Sequence, residues 1–381
     1  MRAKRILIVS HYYPPHIGGI EIVAYNDATR LALLGHQVSV VTSRTAGDPT
    51  SGTFEGVRVI RVPAYNGFEA KAIPFPIFPP ALFFQLWREV RRADIVHIHD
   101  VFYISSFTAS FVAWIHHKPT VVSQHVAMVS HPSKLTTMIE RSVYRTTGIW
   151  TLKKSKRVIT INSRVQRFVA DLGVTADKVI AMNNGVNTKL FHRPSMQERK
   201  IARKTFQLPE AAFIVLFIGR FVPKKGFDVM RKAGASTFLS VFAGGETELL
   251  PNKNQRFIGG VTQTRLSQLY QAADLFVLPS DSEGFPLTAQ EAMASGVPVV
   301  LKYDQGYDRY KLSSNEVVFM DGTSASDLRT LITDLQNDAA RRKAMAEQAF
   351  RYVEKHFTWD RHISALNSVY DQILKQTKVR S

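Results

Sequence analysis

The sequence predicts an α/β protein made of two successive doubly wound units. Three observations lead there. A chain of 381 residues is long for one domain and comfortable for two. Short β-branched runs alternate with helix-period segments, the pattern of a parallel sheet covered on both faces. The alternation then starts afresh near residue 213, after a join around residues 185–200.

Taken in order, Arg5–Ser10 (RILIVS) reads as a buried parallel strand. A Pro/Gly loop runs from His11 to Gly19, and Ile20–Leu34 reads as a helix stopped by Gly35. Gln37–Thr42, Val57–Val62, Ile95–His99, Thr120–Ser123 and Arg157–Ile161 are the further strands of the first unit. In the second, Phe213–Ile218 is a strand followed by a Gly/Pro/Lys loop. Thr237–Ala243, Leu275–Leu278 and Pro298–Val300 are strands there, with helices near 264–272 and 287–295. Residues 324–375 read as helical.

Composition narrows the function. Hydrophobic residues at 45% and charged residues at 21% exclude wholesale disorder. The absence of cysteine excludes disulfides, thiolate metal sites and thiol nucleophiles, and fits a cytoplasmic protein. The first apolar run, Ile6–Val9, is shorter than the roughly 7–15 residues of a secretory signal. No stretch reaches the ~20 apolar residues of a membrane span; the nearest, Ala72–Trp87, is interrupted by four prolines. The net charge is +18, of which residues 1–190 carry +12 and residues 191–381 carry +6. Such a surface attracts polyanions: nucleic acid, an anionic membrane or phosphorylated ligands.

Three segments offer chemistry. In HYYPPHIGGIE, Gly18 and Gly19 stand between a strand and a helix start, where backbone can approach a ligand and free N–H groups favour an anion. An ordinary βα turn would look the same. In GRFVPKKG, directly after strand 213–218, Arg220 offers a planar fork of donors and Lys225 a point charge, together suited to a pyrophosphate. A solvated basic loop is the alternative. In PSDSEGFPLTAQEAMASGVP, from Pro279 to Pro298, Glu283 and Glu291 stand eight residues apart. Carboxylates there accept hydrogen bonds from sugar or ribose hydroxyls. The N–H groups of Leu287 and Thr288 lie at a helix start suited to phosphate.

These segments in this order resemble family 4 retaining glycosyltransferases, whose GT-B fold sets two Rossmann-like domains across a deep cleft. The resemblance also includes DIVHIH at 94–99, Asn184-Gly185-Val186-Asn187 and the closing FTWDRH at 357–362. It implies an N-terminal acceptor domain over 1–188, a nucleotide-sugar domain over 189–359, and a terminal helix, 360–381, packed back on the first domain. It further implies that Arg220 and Lys225 hold the donor's diphosphate and that Glu291 binds the ribose. Glu283 would meet the sugar, with Gly284, Phe285, Leu287 and Thr288 lining its pocket. Gly18 and Gly19 would allow close approach of phosphate and acceptor, and His125 would lie near the sugar. Four features depart from the family pattern. Asn187 stands where Asp is common and Pro286 where Gly is common. The interval after Gly226 is short, and KYDQGYDRY follows Pro298 in place of the usual continuation.

The resemblance implies transfer from a UDP-, GDP- or ADP-linked sugar to a glycan or lipid-linked acceptor, with retention and without a metal or other cofactor. No DxD pair is present, and HIHD at 97–100 reads as strand-end packing and hydrogen bonding. Ala72–Trp87 with Arg88, Arg91 and Arg92, and the cluster Lys153, Lys154, Lys156, Arg157 after Trp150, suit peripheral attachment to anionic lipid at the inner face of the cytoplasmic membrane. Packing on the N-terminal core is the alternative. A nucleotide-sugar epimerase, a glycan phosphorylase and a non-catalytic nucleic-acid binder are the rival functions. No recognised nucleic-acid module accompanies the basic residues.

Overall fold

The computed structural model describes residues 3–16, 18–44, 47–67, 75–128, 134–281, 284–322 and 324–379. The chain forms two compact units. One runs to Asn183 and is completed by residues from Asp360 onward; the other is Asn184–Trp359.

The first unit is built from β1 (Arg5–Val9), α1 (Gly19–Leu33), β2 (Gln37–Arg44), β3 (Gly52–Phe54), β4 (Val57–Pro63), α2 (Ala81–Arg92), β5 (Ile95–His99), α3 (Ile104–Ile115), β6 (Thr120–Gln124), α4 (Lys134–Val143), α5 (Ile149–Lys154), β7 (Arg157–Thr160), α6 (Ser163–Asp171) and β8 (Val179–Ala181). Its strands lie in the order β3-β4-β2-β1-β5-β6-β7-β8, with only β3 antiparallel to its neighbour. Strand β1 is buried on both faces because its side chains alternate between two cores. Leu7 and Val9 pack with Leu86 of α2 and Val112 of α3. Ile6 and Ile8 pack with Ala28 of α1 and with Leu366 and Tyr370 far along the chain.

The second unit contains α7 (Met196–Thr205), β9 (Ile214–Ile218), α8 (Phe227–Lys232), β10 (Leu239–Ala243), β11 (Gln255–Gly259), α9 (Gln263–Ala272), β12 (Leu275–Leu278), α10 (Leu287–Ala294), β13 (Val299–Lys302), β14 (Val318–Met320), α11 (Ala325–Asn337) and α12 (Ala339–His356). Its parallel sheet has the order β11-β10-β9-β12-β13-β14. The last helix, α13 (Trp359–Val379), belongs to the first unit from Asp360 onward.

Local signals place many of these ends. Ser195 and Glu198 form a capping box on α7, Thr262 caps α9 and Ser324 caps α11, each cap contributing about 1 kcal/mol. The tail expected to be helical over 324–375 is three helices. Asp338 ends α11 and caps α12 by accepting from Arg341 N–H. After α12, Val186 N–H donates to Phe357 O at 2.7 Å and Val186 bridges Thr358. Helix α8 has only six residues, as the short interval after Gly226 implied.

Candidate functional site

In each sheet the strand order reverses beside the first strand of the unit, between β1 and β5 and between β9 and β12. Crevices at the carboxyl ends of such strands are where doubly wound folds bind ligands. The segments singled out from the sequence leave those strand ends.

In the second unit the loop after β9 is fastened to the loop after β12. Asp281 N–H donates to Lys224 O at 2.8 Å, and Ser280 Oγ donates to the same oxygen at 3.2 Å. Gly226 has φ +73°, and a Cβ there would lie 2.2 Å from Pro279 O. Glycine is therefore required both for the left-handed backbone and for the close approach. The fastening fixes Arg220, which is exposed and takes no ion-pair partner among the described residues, and the half-buried Lys225 in one loop. Helix α10, which follows the loop after β12, starts at Leu287 with no side chain capping it.

Glu291 lies on α10 and is buried. Tyr270 OH donates to its Oε2 at 3.0 Å and to Thr288 O at 2.8 Å. Burial pushes this carboxyl up to about 8, against the Tyr270 hydrogen bond, which favours the ionised form. Sequence reasoning missed Tyr270, because nothing in α9 marks one tyrosine of an amphipathic helix as a partner for a glutamate 21 positions on. Glu283 lies outside the described residues. Phe285 contributes its side chain to the core. The ring is buried, stacked on Phe357 at 5.3 Å and tilted against Tyr310 at 5.1 Å. Its carbonyl accepts from Gln290. The unusual KYDQGYDRY segment supplies Tyr307 and Tyr310 to this aromatic core through a 3₁₀ turn at Gln305–Tyr310. Asn187 serves as an acceptor for Lys189 N–H at 3.2 Å; an aspartate would do the same. Gly185 stands against Trp359, 2.5 Å from a would-be Cβ to its backbone nitrogen. The NGV and FTW motifs thus meet, far apart in sequence.

In the first unit, the start of α1 differs from expectation. Gly18 is extended, and its Cβ position is taken by the Glu21 carboxylate, 2.2 Å away. Glu21 folds back onto the helix start and meets His16 Nδ1 at 3.0 Å. Burial alone would raise its pKa; the His16 hydrogen bond, His11 and its own backbone N–H more than offset this and hold it low. The Glu21 carboxylate thus lies against Gly18, where a side chain would not fit. Among the described residues, nothing lies within 4 Å of the Gly19 Cβ position.

His125 follows β6 and is 5% exposed. Its Nε2 lies 3.1 Å from His99 Nδ1, the rings stacked. Burial lowers its pKa to about 3, so the ring is neutral. Beside it Asp100, raised to about 6 by burial, accepts from the N–H groups of Phe102, His125 and Val126. The HIHD segment is buried throughout. The structure brings Asp27, His97 and His99 together, their ligand-type atoms within 4.8 Å of one another. Both His97 nitrogens are engaged, Nδ1 by Tyr370 OH at 2.7 Å and Nε2 by Ser123 Oγ at 2.8 Å.

Comparison with solved structures places the two units in the GT-B class of glycosyltransferases. Sucrose-phosphate synthase from Thermosynechococcus elongatus superposes with a TM-score of 0.78 at 20% identity, covering 98% of this chain and 100% of its own. Anabaena HepE, solved with UDP and glucose, gives 0.78 at 16% identity over 97% and 99% of the two chains. In sequence, residues 17–190 match the model for Glycosyltransferase Family 4, and residues 198–352 match that for Glycosyl transferases group 1. The D-inositol 3-phosphate glycosyltransferase of Corynebacterium glutamicum is 24% identical over 95% of this chain and 93% of its own. The chain belongs to the family 4 glycosyltransferases.

Proposed function

We propose that this glycosyltransferase moves a sugar from a nucleoside diphosphate donor to a hydroxyl of a glycan or lipid-linked acceptor, with retention at the anomeric carbon. The observation that carries the reading is the fastening of the Gly219–Gly226 loop to the loop after β12. It ties the loop that carries two cations to the loop that leads into α10, whose start is uncapped and which carries the buried Glu291. In transfer, the anomeric C–O bond breaks and its electron pair leaves with the diphosphate. Arg220, Lys225 and the N–H groups of Leu287 and Thr288 stabilise that charge. The acceptor oxygen bonds to the anomeric carbon from the leaving-group face, and its proton passes to a diphosphate oxygen. Glu291 holds the ribose, and Glu283 and His125 position the sugar. On this reading the two side-chain cations do the work of a metal, so transfer persists in chelator. Uridine diphosphate sugars are the first donors to try, given the ligands bound to HepE.

The basic first unit supports a lipid-linked acceptor and peripheral attachment at the inner face of the cytoplasmic membrane. No helix among the described residues is long and apolar enough to cross a membrane. Residues 81–157 hold eleven Lys/Arg and four Asp/Glu. Glu89, Asp100 and Glu140 are buried, and Asp94 pairs with Arg5 at 2.6 Å. Within the expected Ala72–Trp87 anchor, residues 72–74 lie outside the described residues. Phe78, Phe83 and Trp87 pack on the core, which leaves Ile77 and Phe84 exposed. The larger exposed apolar set is elsewhere: Trp114 on α3, with Lys154 over its ring, and Leu135, Met138 and Ile139 on α4.

The test is a hydrolysis and thermal-shift screen against UDP-, GDP- and ADP-sugars, followed by Arg220→Ala, Lys225→Ala and Glu283→Ala in the donor that responds. Each of the first two loses on the order of 10²–10³ in turnover, and the third loses transfer. Near-normal turnover in all three folded variants would retire the site. Donor conversion without an acceptor would instead show an epimerase, and dependence on inorganic phosphate a phosphorylase.

A further inference from the structure

A row of buried groups crosses the first unit behind His125. His125 Nε2 faces His99 Nδ1 at 3.1 Å. His99 Nε2 faces Asp27 Oδ2 at 3.6 Å. Asp27 Oδ1 faces His362 Nε2 at 2.8 Å, and His362 Nδ1 faces the Asn183 carbonyl at 2.7 Å. Asp27, His99, His125 and His362 are all at most 6% exposed.

The protons on this row follow from its two ends. His362 has an acceptor at each nitrogen, a carboxylate and a carbonyl, so it donates from both and is an imidazolium. Burial works against that charge, but Asp27 and the Asn183 carbonyl more than offset it and raise its pKa. Asp27 is the counter-ion. Its second oxygen and His99 Nε2 have no hydrogen-bond partner among the described residues. At 3.6 Å they are too far apart for a hydrogen bond, yet close enough, in a buried site, for sign to matter. A lone pair on His99 Nε2 would face the carboxylate's own lone pairs, so the hydrogen sits on Nε2. His99 Nδ1 is then an acceptor, and the hydrogen between the two rings belongs to His125 Nε2.

We propose that Asp27, His99 and His362 are positioning residues that fix the tautomer of His125, so that this ring offers an unprotonated Nδ1 to the sugar site. The inference rests on the placement of His125 at that site under the proposed function. The same cluster is a poor cation site, because its carboxylate already neutralises His362 and both His97 nitrogens are hydrogen-bonded. The other ionisable groups facing the row are His11 after β1, His97 on β5, Asp100 at the end of β5, Arg30 on α1 and Tyr370 on α13.

Histidine-selective ¹⁵N labelling of the full chain reads the tautomer directly, with His125→Gln identifying the His125 signals. The wild-type protein shows His125 protonated at Nε2 and bare at Nδ1. Asp27→Asn removes the carboxylate that holds the hydrogen on His99 Nε2, so His125 populates the form with its hydrogen on Nδ1. Donor turnover falls in that variant about 10- to 100-fold, the scale of outer partners that orient a ligand-binding histidine, with the donor KM little changed. A wild-type spectrum with the hydrogen on Nδ1 overturns the proposal, even if Asp27→Asn does not fold. So does a folded Asp27→Asn whose His125 stays wholly protonated at Nε2, and so does an unaltered kcat in a folded Asp27→Asn whose tautomer has shifted. Full activity in His125→Ala is a separate outcome: it removes His125 from the sugar site and fails the proposed function at that residue, whatever the spectra show.

Discussion

At the scale of single residues, Glu291 couples protons to stability and, under the proposed function, to nucleotide binding. Its carboxyl moves from an ordinary 4.5 to about 8 in the folded protein. Between those values the native state holds a proton that the unfolded chain has released. Stability from this group therefore falls as pH rises through that window. Glu291→Gln keeps an acceptor for Tyr270 but removes the titration. Thermal melts from about pH 5 to about pH 8 should show the wild-type protein losing more stability than the variant. Nucleotide binding should reverse the shift, because ribose hydroxyls donating to the carboxyl favour its ionised form. Calorimetry in buffers of different ionisation heat then detects a proton released on binding near neutral pH, absent in Glu291→Gln. Zero release in the wild-type protein would show that Glu291 does not meet the ribose. Arg220, Lys225 and Glu291 could be picked out of the sequence because each sits in a short motif beside a strand. Asp27 and His362 could not: they are 335 positions apart and become partners only when α13 closes on α1.

At the scale of elements, the joined loops of the second unit carry the argument. Alanine at 226 meets two obstacles, the left-handed backbone and the Pro279 carbonyl. Gly259, at the end of β11, has the same φ of +73° with open space around its Cβ position. Gly259→Ala thus measures the backbone cost alone, on the order of 1–2 kcal/mol. Gly226→Ala should cost more in a denaturant melt and should cut donor hydrolysis at least 10-fold, since Arg220 and Lys225 ride on the loop it displaces. Equal costs and normal hydrolysis would mean that the fastening is dispensable. The alternation of strand and helix was legible because parallel strands buried on both faces are continuous apolar runs. The strands not foreseen are β3, β8, β11 and β14. They are short and lie at or beside a sheet edge, where no such run is needed.

At the scale of the molecule, charge and exposed apolar groups coincide on the first unit. Trp114 has Lys154 over its ring, and Leu135, Met138 and Ile139 share α4 with Lys134 and Arg141, while the acids of residues 81–157 are buried or paired. Anchors of this kind beside cations give binding that salt weakens. The protein should sediment with vesicles containing anionic lipid at low salt, and less at high salt or with neutral vesicles. Leu135→Asp with Ile139→Asp should abolish sedimentation and leave hydrolysis of a soluble donor intact. Equal sedimentation of wild-type and double variant would place any lipid contact elsewhere. The sequence located the charge on the first half but did not single out the exposed apolar residues of α4, because Ala72–Trp87 looks more lipophilic than α4 does.

Helix α13 has a consequence for biogenesis. Tyr370 and Leu366 complete a core begun by Ile6 and Ile8, and Lys4 reaches across to Asp371 and Asn367. On the ribosome, the half of the protein translated first is therefore the half finished last. Its β1 face waits, uncovered, while the entire second half emerges and folds. A premature stop codon before α13 should leave the second unit complete and the β1 face of the first unit uncovered.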